Sequence, residues 1–327
     1  MNISRRQVVI GGSALLMGTP GLLLAQTKEL RLGILTPNGH PWNIAAQKVA
    51  DTLKKESNGR LNLTIYPSGQ LGNEAAMLQQ MQTGALDMGW IMAAELGSRV
   101  PTIAAITAPY IVDSTPKIAK LVRHPVAMSL LDVLPAETGT VGLAWGITGM
   151  RAIFSAKDIT KISDIKGMKL RINPTPAYRD FYQLLGAAPT PVATPQVFDA
   201  MSNGQVDGLE ADLEFSWNQR FDKVSKSILQ MNAIFMPVVA LVSGRVWQAT
   251  SAADKELITR AVKAALNTQI DELADNEPKL IEQFKATKIP FRYANSADAQ
   301  AVIADYDKIW LPKAPILAEL RKVGKSL

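Results

Sequence analysis

A cation at the end of a strand is the first candidate for chemistry in this chain. In Lys166-Gly-Met-Lys-Leu-Arg-Ile172 the two-residue period of a half-buried strand sets Met168, Leu170 and Ile172 on one face and Lys169 and Arg171 on the other. Arg171 then stands at the carboxyl end of its strand, where open α/β sheets build their ligand crevices. A guanidinium there can donate two parallel hydrogen bonds to one carboxylate, which an ammonium cannot copy. Read alone, however, an arginine on a strand is more often a solvated side chain. Glu210 and Asp212 are two apart on another predicted strand and so share a face, which allows a carboxylate pair for acid–base work. Against an enzyme stands the lack of any nucleophile, base and orienting group in a recognisable set.

The remaining chemistry is mostly excluded. His40 and His124 are the two histidines, with no H-E-x-x-H, and cysteine is absent. A histidine or thiolate metal site, a disulfide framework and cysteine catalysis are therefore not expected. No G-x-G-x-x-G follows a predicted strand, so no dinucleotide or other cofactor is expected either.

The elements that must position Arg171 repeat along the chain. Met81-Gln-Thr-Gly84-Ala-Leu-Asp87 and Met201-Ser-Asn-Gly204-Gln-Val-Asp207 share M-x-x-G-x-[L/V]-D, which reads as a helix closed by a C-cap glycine and followed by a strand. Upstream of each lies a strand-to-proline step, Leu61 to Pro67 and Lys169 to Pro174. The pattern predicts two α/β lobes on one plan. Strands are expected near 29–35, 61–66, 86–92 and 141–146 in the first and 152–155, 168–172, 189–192 and 206–210 in the second. Helices are expected at 43–57, 73–82, 116–122, 125–137, 176–185 and 195–203. Val238 to Ser243 reads as a buried strand, and an amphipathic helix follows from about Ala252 to Ala286, with Pro278 as a kink or break.

The 327 residues suffice for two domains, and 47% hydrophobic with 20% charged content is ordinary for a folded protein. Residues 1–25 have the parts of an export signal: Arg5-Arg6, a glycine-diluted apolar run and Ala25 before a polar shift. Ser-Arg-Arg-Gln-Val-Val resembles the twin-arginine signature. The expectation is a periplasmic protein from which the leader is removed. Without Arg5 and Arg6 the 35 basic residues become 33 against 29 acidic, a formal +4, which suits an anionic small molecule. No basic block interleaved with aromatics points to nucleic acid.

Five segments carry a family resemblance: Leu32-Gly-Ile-Leu-Thr-Pro-Asn-Gly-His-Pro-Trp42, Tyr66-Pro-Ser-Gly-Gln-Leu-Gly72, Gly149-Met-Arg151, Lys166 to Ile172 and Leu185-Gly-Ala-Ala-Pro-Thr-Pro191. In this order, with the Gly84/Asp87 step, they closely resemble the substrate-binding proteins of TRAP transporters, the tripartite ATP-independent periplasmic carriers of organic acids, of the DctP-like family. The resemblance implies a two-lobed α/β periplasmic binding protein fold, each lobe a mainly parallel sheet flanked by helices, with a long C-terminal helix spanning both. It assigns residues 27–148 plus about 237–275 to lobe I and 149–236 plus about 276–327 to lobe II. It also implies a monomer that closes on a small organic acid and delivers it to membrane subunits, without catalysis.

The resemblance assigns the ligand carboxylate to Arg171, with Arg151 as a second arginine that assists it or lines its path. His40 falls in a loop at the cleft mouth. Where the family has Gln-Glu-Asn-Pro, with the asparagine touching ligand, this chain has Leu209-Glu210-Ala211-Asp212. Ala211 thus removes an amide contact, and Glu210 reads as a buried structural acceptor or a ligand group. Trp90, Met92, Trp145 and Trp217, with Thr194 where relatives carry an aromatic, imply an apolar wall. The expected ligand is an aromatic or otherwise apolar monocarboxylate. A sugar-acid or C4-dicarboxylate binder and a sensory binding protein are the alternatives.

Overall fold

The computed structural model describes residues 27–173, 175–192 and 196–327. The expected leader over 1–25 and Thr194 lie outside the described residues. The chain opens with β1 (Lys28–Ile34), α1 (Pro41–Glu56), β2 (Leu61–Tyr66), α2 (Glu74–Thr83), β3 (Met88–Met92) and α3 (Ala93–Arg99). β1 is parallel to both β2 and β3. His40 caps α1, its Nδ1 accepting from Trp42 N at 3.1 Å, and Asn73 caps α2 by accepting from Ala76 N at 2.9 Å. Such caps satisfy amide groups that the first helical turn leaves without partners.

Short helical segments between 101 and 138 lead into β4 (Thr140–Ser155). β5 (Lys169–Arg171), α4 (Pro176–Leu184), β6 (Ala188–Thr190), α5 (Val197–Ser202), β7 (Gly208–Asp212) and α6 (Leu213–Asn218) form a second lobe, with β5 parallel to β6 and β7. β8 (Ser227–Ser243) returns antiparallel to β4. Then come α7 (Ala252–Ala286), β9 (Phe291–Tyr293), α8 (Gln300–Trp310) and α9 (Leu317–Ser326). Among the described residues the strands make one nine-stranded sheet, ordered β2-β1-β3-β8-β4-β7-β5-β6, with β9 on β8.

The β4/β8 ribbon fixes where the two lobes meet. β3 runs beside β8 and ends with Met92 opposite Val238, which itself pairs with Gly146 of β4. β7 runs beside the other end of β4 and finishes with Asp212 opposite Arg151. The carboxyl ends of β3 and β7 therefore converge on the ribbon's middle from opposite directions. There the register shifts between Ile147 and Met150 and again between Met150 and Ala152. Irregular pairing of this kind bends and twists a strand.

The repeated motif has the same structural role twice. Gly84 and Gly204 both take left-handed φ, 80° and 75°, which costs glycine nothing in Cβ clash. Asp87 then accepts from the backbone N of Arg31 at 2.9 Å, and Asp207 from the backbone N of Lys169 at 2.8 Å. Each aspartate ties its own strand to a neighbouring parallel strand.

α7 crosses both lobes. Leu257, Ile258, Val262, Leu266 and Ile270 enter the larger core, whereas Leu280 and Phe284 enter a smaller one with Phe154 and Leu209. Burying each such side chain contributes about 1.5–3 kcal/mol. A Cβ on Gly146 would stand 2.9 Å from the Leu266 side chain, so the ribbon needs glycine for this helix to lie on it. A forked ion pair joins Arg60 to Asp254 at 2.8 and 2.5 Å, tying α7 to the first lobe.

The structure differs from the sequence expectation at four places. Residues 141–146 and 152–155 belong to one continuous strand, because β8 pairs along nearly its whole length. That partner begins at Ser227, eleven residues before the expected Val238, since Pro237 is accommodated beside an irregular stretch of pairing. The helix expected over 125–137 is several short segments, broken at residues 130 and 134. Pro278 does not end α7, whose apolar residues on both sides are anchored in the two cores.

Candidate ligand-binding site

Arg171 ends β5 and is 6% exposed, with its Nε donating to Val192 O at 3.2 Å. Burial lowers its pKa; Glu210 opposes that shift and Arg151 adds to it. In register Arg171 stands beside Leu209 on β7, on the face that also carries Ala211. Ala211 is fully buried in the smaller core, where Val192, Phe215 and Trp217 pack alongside.

Arg151 has a different role. Its Nε bonds Glu210 Oε1, its Nη2 reaches Glu210 Oε2 and O at 3.1 Å each, and its Nη1 reaches Asp212 Oδ2 at 2.9 Å. Burial opposes the charge, but Glu210 and Asp212 outweigh it and hold the guanidinium firmly protonated. Asp212 also caps α6 by accepting from Phe215 N at 2.9 Å. Glu210 and Asp212 do share a strand face, as their spacing requires, and both are turned onto one arginine.

Above this pair lies α4. Tyr178 donates to Phe235 O at 2.9 Å, while Tyr182 is buried beside it with its hydroxyl unpartnered. Burial raises the pKa of both phenols well beyond the usual value, with Glu210 adding to the effect. Both remain neutral donors at any physiological pH.

The other sequence candidates lie in three environments. Trp145 is a core residue, 2% exposed, with its Nε1 donating to Ala127 O at 3.0 Å, so it supplies no wall to the crevice. Trp90 is 1% exposed on the sheet face beneath α1 and α7, and its Nε1 has no partner. Met92 is half-buried at the carboxyl end of β3, while Trp217 is half-buried with its ring edge on Phe284, centroids 5.2 Å apart. His40 stacks edgewise on Trp42, centroids 5.0 Å apart. Burial lowers its pKa to about 4, against the pull of Asp212, so the imidazole is neutral at pH 7.

Sequence reasoning missed Glu74. It is buried at the first position of α2 and accepts from Met92 N at 2.6 Å. Burial pushes its pKa up to about 8, the Met92 hydrogen bond opposes this and Glu95 adds to it. The signal was available in Leu71-Gly-Asn-Glu74, an N-cap asparagine placing a carboxyl where β2 and β3 end.

The family model for bacterial extracellular solute-binding proteins, family 7 (DctP), matches residues 32–313. The chain is 28% identical over 264 residues to the sialic acid-binding periplasmic protein SiaP of Vibrio cholerae, covering 81% of this chain and 82% of that one. It superposes with a TM-score of 0.81 on a TRAP periplasmic solute-binding protein from a Polaromonas species bound to D-erythronate, at 26% identity and over 90% and 98% of the two chains. A TRAP periplasmic solute-binding protein from Ochrobactrum anthropi gives a TM-score of 0.86 at 23% identity, over 92% of this chain and 96% of that one. The chain belongs to the DctP family of TRAP periplasmic solute-binding proteins, which bind their solutes and are not enzymes.

Proposed function

We propose that this protein captures an organic acid anion between its two lobes, with the ligand carboxylate held by Arg171, and delivers it to the membrane subunits of a TRAP transporter. The observation that carries this reading is a buried guanidinium at the carboxyl end of β5 whose surroundings lower its pKa. Arg151 is already engaged by Glu210 and Asp212 and supports the site by position. The lobes are residues 27–148 with about 237–275 and residues 149–236 with about 276–327, hinged where the ribbon register shifts. α9 packs back on the first lobe, Arg321 Nη1 donating to Pro109 O at 2.5 Å. The chain is exported, loses residues 1–25, and works as a monomer.

The ligand body is apolar or aromatic, and the acid is a monocarboxylate. Support comes from Val192, Phe215 and Trp217, partly buried on the Arg171 side of the sheet. Burying about 100 Å² of apolar ligand surface there contributes roughly 2.5 kcal/mol, comparable to a charge-assisted hydrogen-bonded pair. The relatives bound to D-erythronate and named for sialic acid favour a polyhydroxylated acid as the second reading. A thermal-shift screen across aryl acids, branched aliphatic acids, sugar acids and dicarboxylates decides between them. Stabilisation by succinate or a uronate, with none by any apolar acid, sinks the apolar reading.

A further inference from the structure

Several buried side-chain polar groups have no protein partner, and three of the donors lie on elements that meet at the ribbon. Among the described residues these include Asn43 Nδ2, Trp90 Nε1 and Thr148 Oγ1. Asn43 and Trp90 are 6% and 1% exposed. A donor held this way forfeits its hydrogen bond to water, so a fold retains several together only where something else compensates.

Their placement is specific. Asn43 lies in the first turn of α1, and its carbonyl is already used by the Thr36 hydroxyl just past β1. Next to it, Trp42 donates through Nε1 to Ile147 O at 3.0 Å, which brings this turn against the ribbon's irregular middle. Thr148 is the following ribbon residue. Trp90 is in register with Ile34 at the end of β1, on the sheet face that Gly146 shares and α7 covers. The carbonyl of Ile147 already accepts from other donors. Gln269 holds Ile147 from both sides, its Nε2 donating to Ile147 O at 3.0 Å and its Oε1 accepting from Ile147 N at 3.2 Å.

We propose that Asn43 and Trp90 of the first lobe, with Thr148 of the ribbon, form a donor subsite for an oxo or hydroxy oxygen of the ligand, separate from its carboxylate. The inference rests on the reading of Arg171 as the carboxylate anchor. Arg171 belongs to the second lobe and the donors to the first, so an oxo or hydroxy acid touches both lobes where its deoxy analogue touches one. Ligand-driven closure requires contacts of that differential kind. A site built to pair with an oxygen also rejects the analogue lacking it, because its donors stay buried and unpaired.

The test is calorimetry on matched pairs: 4-methyl-2-oxopentanoate against 4-methylpentanoate, phenylpyruvate against 3-phenylpropanoate, and D-erythronate against butanoate. For each pair that binds, the oxygenated acid is expected to bind at least about tenfold more tightly. Asn43→Leu is expected to remove most of that advantage while leaving the deoxy acid within about threefold of its wild-type affinity. Trp90→Phe, which keeps a ring and loses the N–H, repeats the test if Asn43→Leu does not fold. Equal affinity for the two members of a pair in the wild-type protein overturns the inference, as does an advantage that survives both substitutions. In either case loss of both acids in Arg171→Ala would leave the carboxylate anchor standing. Failure of every acid to bind would instead overturn the functional reading and the donor subsite with it.

Discussion

Glu210 Oε2 lies 3.1 Å from Arg151 Nη2, in an interior where the two side chains are 0% and 6% exposed. With Asp212 on the same guanidinium, Arg151 is paired by two carboxylates, whereas burial lowers the pKa of Arg171. Arg151 therefore holds the strands β4 and β7 together, and the proposed carboxylate anchor, Arg171, is a separate guanidinium. Replacing Glu210 by Leu leaves Arg151 underpaired in the interior and is expected to destabilise the fold by about 3–5 kcal/mol. The double replacement Arg151→Met/Glu210→Leu is expected to cost clearly less than the sum of the two single changes. Urea denaturation followed by circular dichroism reads both, and additivity of the two single effects would contradict the pairing.

Ala211 is a test of packing as well as of ligand chemistry. Its methyl is fully buried beside Leu209 and Ala152, so an amide there has little room and few partners. Ala211→Asn is expected to lower stability by about 1–3 kcal/mol, the usual cost of a poorly satisfied buried polar group. An unchanged melting temperature would mean that the side chain at this position reaches the crevice.

Stability should fall as pH rises past neutrality, and Glu74 is the reason. Its folded pKa of about 8 stands above the ordinary 4.5, so the folded state binds the extra proton between those values. Stability linked to Glu74 is therefore full below about 4.5 and lost as pH rises towards 8, with a slope of at most ~1.4 kcal/mol per pH unit. His40 acts in the opposite sense below its ordinary 6.5, since its folded pKa of about 4 leaves the unfolded state with more protons there. Glu214, raised to about 7 by burial and by Asp212, adds to the Glu74 trend below neutrality. Glu74→Gln keeps an acceptor for Met92 N and cannot ionise. The difference in unfolding free energy between the two proteins should change steadily from pH 7 to 8, and a constant difference would show that Glu74 titrates normally.

Much of this architecture was legible because local signals agreed with one another. The Gly84/Asp87 and Gly204/Asp207 steps announced two similar lobes, and both aspartates make the same bond to a neighbouring strand amide. The strand that ends at Arg171 was legible from its alternation in the sequence. What could not be read is what depends on partners distant in sequence. The strand from Ser227 to Met236 is apolar and polar in no regular period, since β4, β9 and the two cores all contact it. Trp145 and Trp90 look alike as strand tryptophans, and only the tertiary structure gives one indole N–H a carbonyl and the other none. The N-cap signal at Asn73 places the Glu74 carboxyl at the start of α2, but not its partner, because the amide it accepts from is eighteen residues on, in β3.

The central claim is that Arg171 anchors a carboxylate, and calorimetric titration of Arg171→Ala with an acid that binds the wild-type protein tests it most directly. The account predicts an affinity loss of at least about a hundredfold, ~2.7 kcal/mol, with the urea midpoint little changed. Arg171→Lys is expected to lose most of the affinity as well, because a point charge does not reproduce the planar fork. A folded Arg171→Ala protein that binds the acid within about tenfold of wild type, ~1.4 kcal/mol, would contradict the claim and move the anchor elsewhere.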